Sequence, residues 1–213
     1  MNTIPVILPL NYRDSVVTII IVQKLQIPSI QKYNRKAQVL MTKEKGVKWK
    51  AFTTAFPYTI PIFTGFWFLG LTYGIYMNVS GFSFWYPMLM SITIFAGSIE
   101  FVTVNMLLGA FNPIQALTMT LMINARHLFY GISMIDRYKG AGRKKPYLMF
   151  ALTDETYSLV CSEESVKGVE DRYKYYFFLS LFNQSYWITG SLIGSVLGSL
   201  IPFSTEGIDF VLT

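Results

Sequence analysis

From Ala51 to Ile99 the chain runs forty-nine residues without one Asp, Glu, Lys, Arg or His, and the first charge after it is Glu100, inside still more apolar sequence. A water-facing surface needs charges every few residues, whereas a helix crossing ~30 Å of hydrocarbon needs about 20 uncharged ones. Two further charge-free runs follow, Phe101 to Ala125 and Tyr175 to Thr205. The fold expected is all-α, a polytopic transmembrane helical bundle in the lipid bilayer, and its few buried charges are the places to look for function.

Composition supports one bundle rather than separate soluble domains: 52% of residues are hydrophobic, 16% aromatic and only 14% charged. The net charge of +6 comes from basic residues in short segments between apolar runs. It therefore reads as loop orientation, with no nucleic-acid partner. A lone cysteine, Cys161, excludes an internal disulfide, and one histidine beside one cysteine argues against a zinc site. No cofactor is expected. Gly140-Ala141-Gly142-Arg143-Lys144-Lys145 lacks the spacing that cradles phosphates and reads as a basic loop.

Residues 1–40 differ from the rest, with Pro5, Pro9 and Pro28, a run from Val16 to Val22 too short to span, and basic residues at Lys32, Arg35 and Lys36. They read as an atypical segment, a mispredicted start or a disordered one. Met41 opens a compact basic lead-in, so the transmembrane domain is expected over 41–213. A first span is expected over 52–76, kinked or locally unwound at Pro57 and Pro61. Tyr76, Phe82, Phe84, Trp85 and Tyr86 then read as an interfacial aromatic belt. A second span over 87–108 and a third apolar segment reaching Ile135 are joined by the Gly109–Pro113 turn. A shorter segment, 146–161, is interrupted by Asp154 and Glu155, and the last span covers 175–201.

Orientation poses a parity problem. Residues 43–50 and the loop 136–145, with five positive charges against one negative, both claim the cytoplasm. Three apolar segments lie between them. Either one segment is re-entrant or broken, as in many secondary transporters, or the charge rule fails for one loop.

Three constellations carry chemistry. Glu100 and Arg126 lie eleven residues before and fifteen residues after Phe111, so they sit ~16 Å and ~22 Å down the arms of a helical hairpin and can meet, with Asn124 close in depth. The pair either fixes helix register or leaves the guanidinium free to receive an anionic substrate group. His127 is hydrogen-bonded scaffold or a proton relay. Asp154 and Glu155, flanked by Thr153 and Thr156, are either titratable carboxylates of a proton-coupled carrier or part of a helix cap. Gly190, Gly194 and Gly198 form a small-residue ladder for close helix packing, against a neighbour in this chain, a second copy or another subunit.

Ala-Gly-Ser-Ile-Glu-Phe (96–101), Asn-Ala-Arg-His-Leu-Phe-Tyr-Gly (124–131) and Leu-Thr-Asp-Glu (152–155) together resemble, in order and spacing, the AzlC family of branched-chain amino acid permeases. The resemblance runs from about Met41 to the C-terminus. It implies a multi-pass exporter of branched-chain amino acids in the bacterial cytoplasmic membrane, proton-driven, without ATP, working with a small hydrophobic partner of the AzlD type. It also implies that a carboxylate at position 100 is a subgroup trait, since many relatives carry an amide there. The closing Ile208–Thr213 reads as the opening of another span, so the polypeptide is expected to be a truncated member. The rival readings are a non-transporting scaffold subunit and an intramembrane enzyme using Glu100, His127 and Asp154. The enzyme is the weaker, because no paired metal-ligand motif accompanies those residues.

Overall fold

A computed structural model describes residues 28–110 and 112–200 of the chain. The atypical segment expected over 1–40 lies mostly outside them, as does the apolar opening at 208–213. Among the described residues every regular element is helical: α1 Pro28–Val79, α2 Trp85–Thr93, α3 Gly97–Leu108, α4 Pro113–Arg137, a 3₁₀ turn Gly142–Lys144, α5 Lys145–Phe150, α6 Asp154–Cys161, α7 Glu163–Val166 and α8 Arg172–Leu200. The chain divides into two units, Met1–Val47 and Lys48–Thr213. The described part of the first is the opening of α1, where the Thr42 hydroxyl donates to the Gln38 and Val39 carbonyls and Val39, Leu40 and Met41 are exposed. All that follows lies in the second.

The first expected span is continuous helix through Pro57 and Pro61, without the unwinding anticipated there. With the prolines four residues apart, both missing donors fall on one stripe and leave the rest of the hydrogen-bond ladder intact. The expected second span is two half-helices. α2 and α3 hold 9 and 12 residues and are separated at residues 94–96. Phe95 sits there at φ +46°, a left-handed conformation that a residue with a Cβ adopts at a cost. At 1.5 Å per residue neither half reaches ~30 Å. The segment 146–161 is divided in the same way, into α5 and α6 around residues 151–153.

α4 starts sharply because Asn112 Oδ1 accepts from the Ile114 and Gln115 amides at 3.0 and 3.1 Å, with Pro113 in the first helical position. Its outer stripe is exposed leucine and isoleucine, at positions 114, 117, 121, 128, 132 and 135, and its opposite face buries Met134. Of the aromatic belt expected around Gly81, Phe84, Trp85 and Tyr86 are exposed. Tyr76 instead turns inward and donates to Asn105 Oδ1 at 2.9 Å.

α1, α2, α5 and α6 assemble on α8. Its glycines face α1: a Cβ added at Gly194 would collide with the Leu71 backbone, one at Gly190 would lie 2.9 Å from the Trp67 carbonyl oxygen, and Gly74 of α1 meets the Ser191 and Ser195 backbone in return. α2, α5 and α6 also pack on α8. Among the described residues one helix, Ala37–Val79, has the length and apolarity to cross a bilayer by composition. α4 and α8 are ~37 and ~43 Å long, but the polar residues they turn inward, Asn183, Gln184, Ser191 and Ser195 of α8 among them, lower their hydropathy.

Candidate functional site

Both breaks open on one cavity of about 330 Å³. Ala96, Gly97 and Ser98 line it from the first break, Thr153, Asp154 and Glu155 from the second, and Asn124, Arg126 and His127 from α4. The remaining wall is apolar and aromatic: Phe66, Leu69, Phe95, Phe101 and Trp187.

The breaks are held in place by α8. Gln184 Nε2 donates to the Ile92 carbonyl at 3.3 Å, serving the end of α2, while its Oε1 accepts from the Tyr147 hydroxyl of α5 at 2.8 Å. One residue earlier, Asn183 Nδ2 donates to Thr156 Oγ1 at 3.0 Å. Thr153 caps α6 by accepting from the Thr156 amide at 3.3 Å, which places Asp154 and Glu155 in the first turn, where carboxylates favour the helix dipole. The capping expectation for this segment and its place at a cavity therefore coexist.

The charges pair differently from the sequence expectation. Arg126 Nη1 lies 2.5 Å from Asp154 Oδ2, not against Glu100. Glu100 is fully buried and takes its hydrogen bonds from Trp187, Ser91 and the Ala96 amide. The reason is local: the break at 94–96 places Glu100 in the first turn of α3, where it bonds back to Ala96, four residues before it. His127 sits in the middle of α4. Its Nδ1 and Asp154 Oδ1 are buried with no hydrogen-bond partner among the described residues.

Residues 61–201 match the family described as AzlC protein. The chain belongs to the AzlC family. It is 56% identical over 165 residues to the branched-chain amino acid transport protein AzlC of Bacillus subtilis, an alignment covering 78% of this chain and 65% of that protein. An uncharacterized membrane protein of Haemophilus influenzae is 43% identical over 165 residues, covering 77% of this chain and 67% of the relative. One of Helicobacter pylori strain J99 is 42% identical over 164 residues, covering 77% and 72%. This AzlC-family chain thus spans less than two thirds of the Bacillus relative's length. No solved structure matches it. It is a membrane protein of a transport family.

The three AzlC motifs, distant in sequence, all contribute to the one cavity. Sequence reasoning missed Trp187, Ser91 and Ser191. Trp187 carried a usable signal, since it lies three residues before Gly190 and so shares the inward face of the glycine ladder. Ser91 carried none, being isolated in an apolar run, and Ser191, which recurs with Ser195 and Ser199 beside the glycine ladder, signals close packing but not its hydrogen-bond partner.

Proposed function

We propose that this AzlC-family chain is the large subunit of a secondary transporter that exports branched-chain amino acids across the bacterial cytoplasmic membrane, driven by the proton motive force and working with a small hydrophobic AzlD-type protein. The observation that carries the reading is the meeting of opposite charges and an apolar wall in a single cavity between two broken helices. An aliphatic amino acid needs those three features together. Arg126 offers the carboxylate a planar two-point contact, and the Asp154 carboxylate, lining the same cavity, accepts from the ammonium. Phe66, Leu69, Phe101 and Trp187 receive the branched side chain. His127, Asn124 and Glu155 complete the polar side. The volume falls in the ~300–1,000 Å³ range of small-molecule sites. The name of the Bacillus subtilis relative, 56% identical, supplies the substrate class.

The test is efflux of leucine, isoleucine and valine from cells loaded with dipeptides. Deleting this chain or the neighbouring small membrane protein should each raise internal amino acid and slow its release, with recovery only when both are returned. Equal release from the deletion and the parent would sink the reading.

A further inference from the structure

Glu100 lies behind the cavity wall rather than in it: Ala96, Phe101 and Trp187 line the cavity, while Glu100 has no exposure. Trp187 Nε1–H donates to its two oxygens at 3.0 and 3.1 Å, and the Ala96 amide donates to Oε1 at 3.0 Å. These N–H groups can only donate. The third contact is of another kind. Ser91 Oγ lies 3.2 Å from Oε2 and 2.8 Å from Ser191 Oγ, and Ser191 Oγ lies 3.0 Å from the Ile188 carbonyl oxygen.

A hydroxyl both donates and accepts, so this row of oxygens has two directions. With Glu100 ionised, Ser191 donates to Ser91 and Ser91 donates to the carboxylate. With Glu100 protonated on Oε2, the new O–H donates to Ser91, Ser91 to Ser191, and Ser191 to the Ile188 carbonyl. Each state leaves every side-chain oxygen in the row partnered with no heavy atom moved. A buried carboxyl that can change protonation without stranding a polar group avoids the cost of an unmade hydrogen bond in either state. Asp154 has no such arrangement, being tied to Arg126.

Trp187 connects this row to the cavity. Its ring lines the wall, stacks with Tyr73 at 6.1 Å and meets the edge of Phe66 at 6.0 Å. Gly97 leaves room for it, since a Cβ there would lie 2.8 Å from the indole ring. Tyr73 of α1, stacked on the indole, is a titratable neighbour on that side. α2 and α8 present hydroxyls and the indole to Glu100, and Arg126, His127, Asp154 and Glu155 line the cavity on the far side of the wall.

We propose that Glu100 takes up and releases the coupling proton, that Ser91 and Ser191 form the reversible relay keeping both of its protonation states bonded, and that Trp187 is the shutter between it and the substrate cavity. In the step itself a hydronium O–H bond breaks and the Oε2–H bond forms, leaving water; nothing is oxidised or reduced. The proposal rests on the transporter reading and names its coupling site.

The test uses the full chain with its partner in proteoliposomes. With one proton per substrate, a gradient of about one pH unit supports about tenfold leucine accumulation. Glu100→Gln is expected to abolish that accumulation, while leucine exchange without a gradient persists at a reduced rate. Gradient-driven accumulation at the parental level in Glu100→Gln would overturn the proposal. If the parent exchanges no leucine, the substrate reading has failed, and pH-difference infrared spectroscopy decides this one: a protonated-carboxyl band that appears on acidification and vanishes in Glu100→Gln supports it, and an unchanged band overturns it. Should Glu100→Gln fail to fold, Ser91→Ala with Ser191→Ala must shift the midpoint of that band; an unmoved midpoint also overturns it.

Discussion

Arg126 Nη1 meets Asp154 Oδ2 at 2.5 Å across the cavity, joining the long helix α4 to the half-helix α6. The pair is partly open, with 47% and 35% of the two side chains exposed, so its worth to folding is that of a surface ion pair, about 1 kcal/mol or less. Arg126→Gln and Asp154→Asn should each lower thermal stability little and export by about tenfold or more, the scale of one lost charged contact to substrate. Arg126→Lys should keep the fold and still lose export, because an ammonium cannot make the planar two-point contact. Thermal melts and efflux assays on the same preparations separate the two roles. A large stability loss with normal residual export would make the pair purely structural.

Gly194 and Gly65 offer a matched contrast. Gly194 is pressed on the Leu71 backbone, whereas a Cβ at Gly65 would have nothing within 4 Å. Gly194→Leu should destabilise by about 1–3 kcal/mol or more through overpacking. Gly65→Ala should be neutral or stabilising by up to about 1 kcal/mol through helix propensity. Detergent melting of both variants checks this. If Gly194→Leu lost only the small partner and kept the parental melting temperature, the ladder would be an intersubunit surface instead.

Asp171, before α8, accepts from the Lys174 amide at 3.0 Å and pairs with the Lys174 ammonium at 3.0 Å. Partial burial pushes its carboxyl up, but the Lys174 hydrogen bonds and the charges of Lys174 and Lys144 outweigh that and hold it below the ordinary carboxylate value. A depressed folded-state value means stability that is fully present above the unfolded value, near pH 4, and lost as pH falls through the lower folded value. Asp171→Asn should therefore melt below the parent at neutral pH and converge with it at the acid end. A constant offset across that range would remove the ionic contribution.

Sidedness can be read by thiol labelling after Cys161, which is exposed, is replaced. Cysteines at Lys48 and Lys144 should both resist an impermeant reagent in intact cells if basic segments stay cytoplasmic and the α2–α3 segment turns back instead of crossing. Labelling at one position alone would falsify the re-entrant arrangement.

Helical class and the candidate residues for a site were legible in the chain itself, because both follow from what hydrocarbon forbids. Long runs without charge leave helices as the viable structure, and a charge retained within such a run has to be partnered, which pointed to Glu100, Arg126 and Asp154 before any coordinates. Ladder spacing at Gly190, Gly194 and Gly198 likewise announced a close helix contact. Which partner each charge takes was decided in three dimensions. The hairpin arms are unbroken from Glu100 and Arg126 to their turn, but the side chain of Glu100 faces Trp187 and Ser91 instead of the opposite arm, and Arg126 pairs with Asp154. The turn at Phe95 carries no proline, and Gly97 follows it rather than occupying it. It persists because Gln184, Trp187 and Ser191, some ninety residues later, supply the hydrogen bonds and packing that a broken helix needs. Contacts of that separation leave no periodicity in the sequence, so only the folded chain could place them.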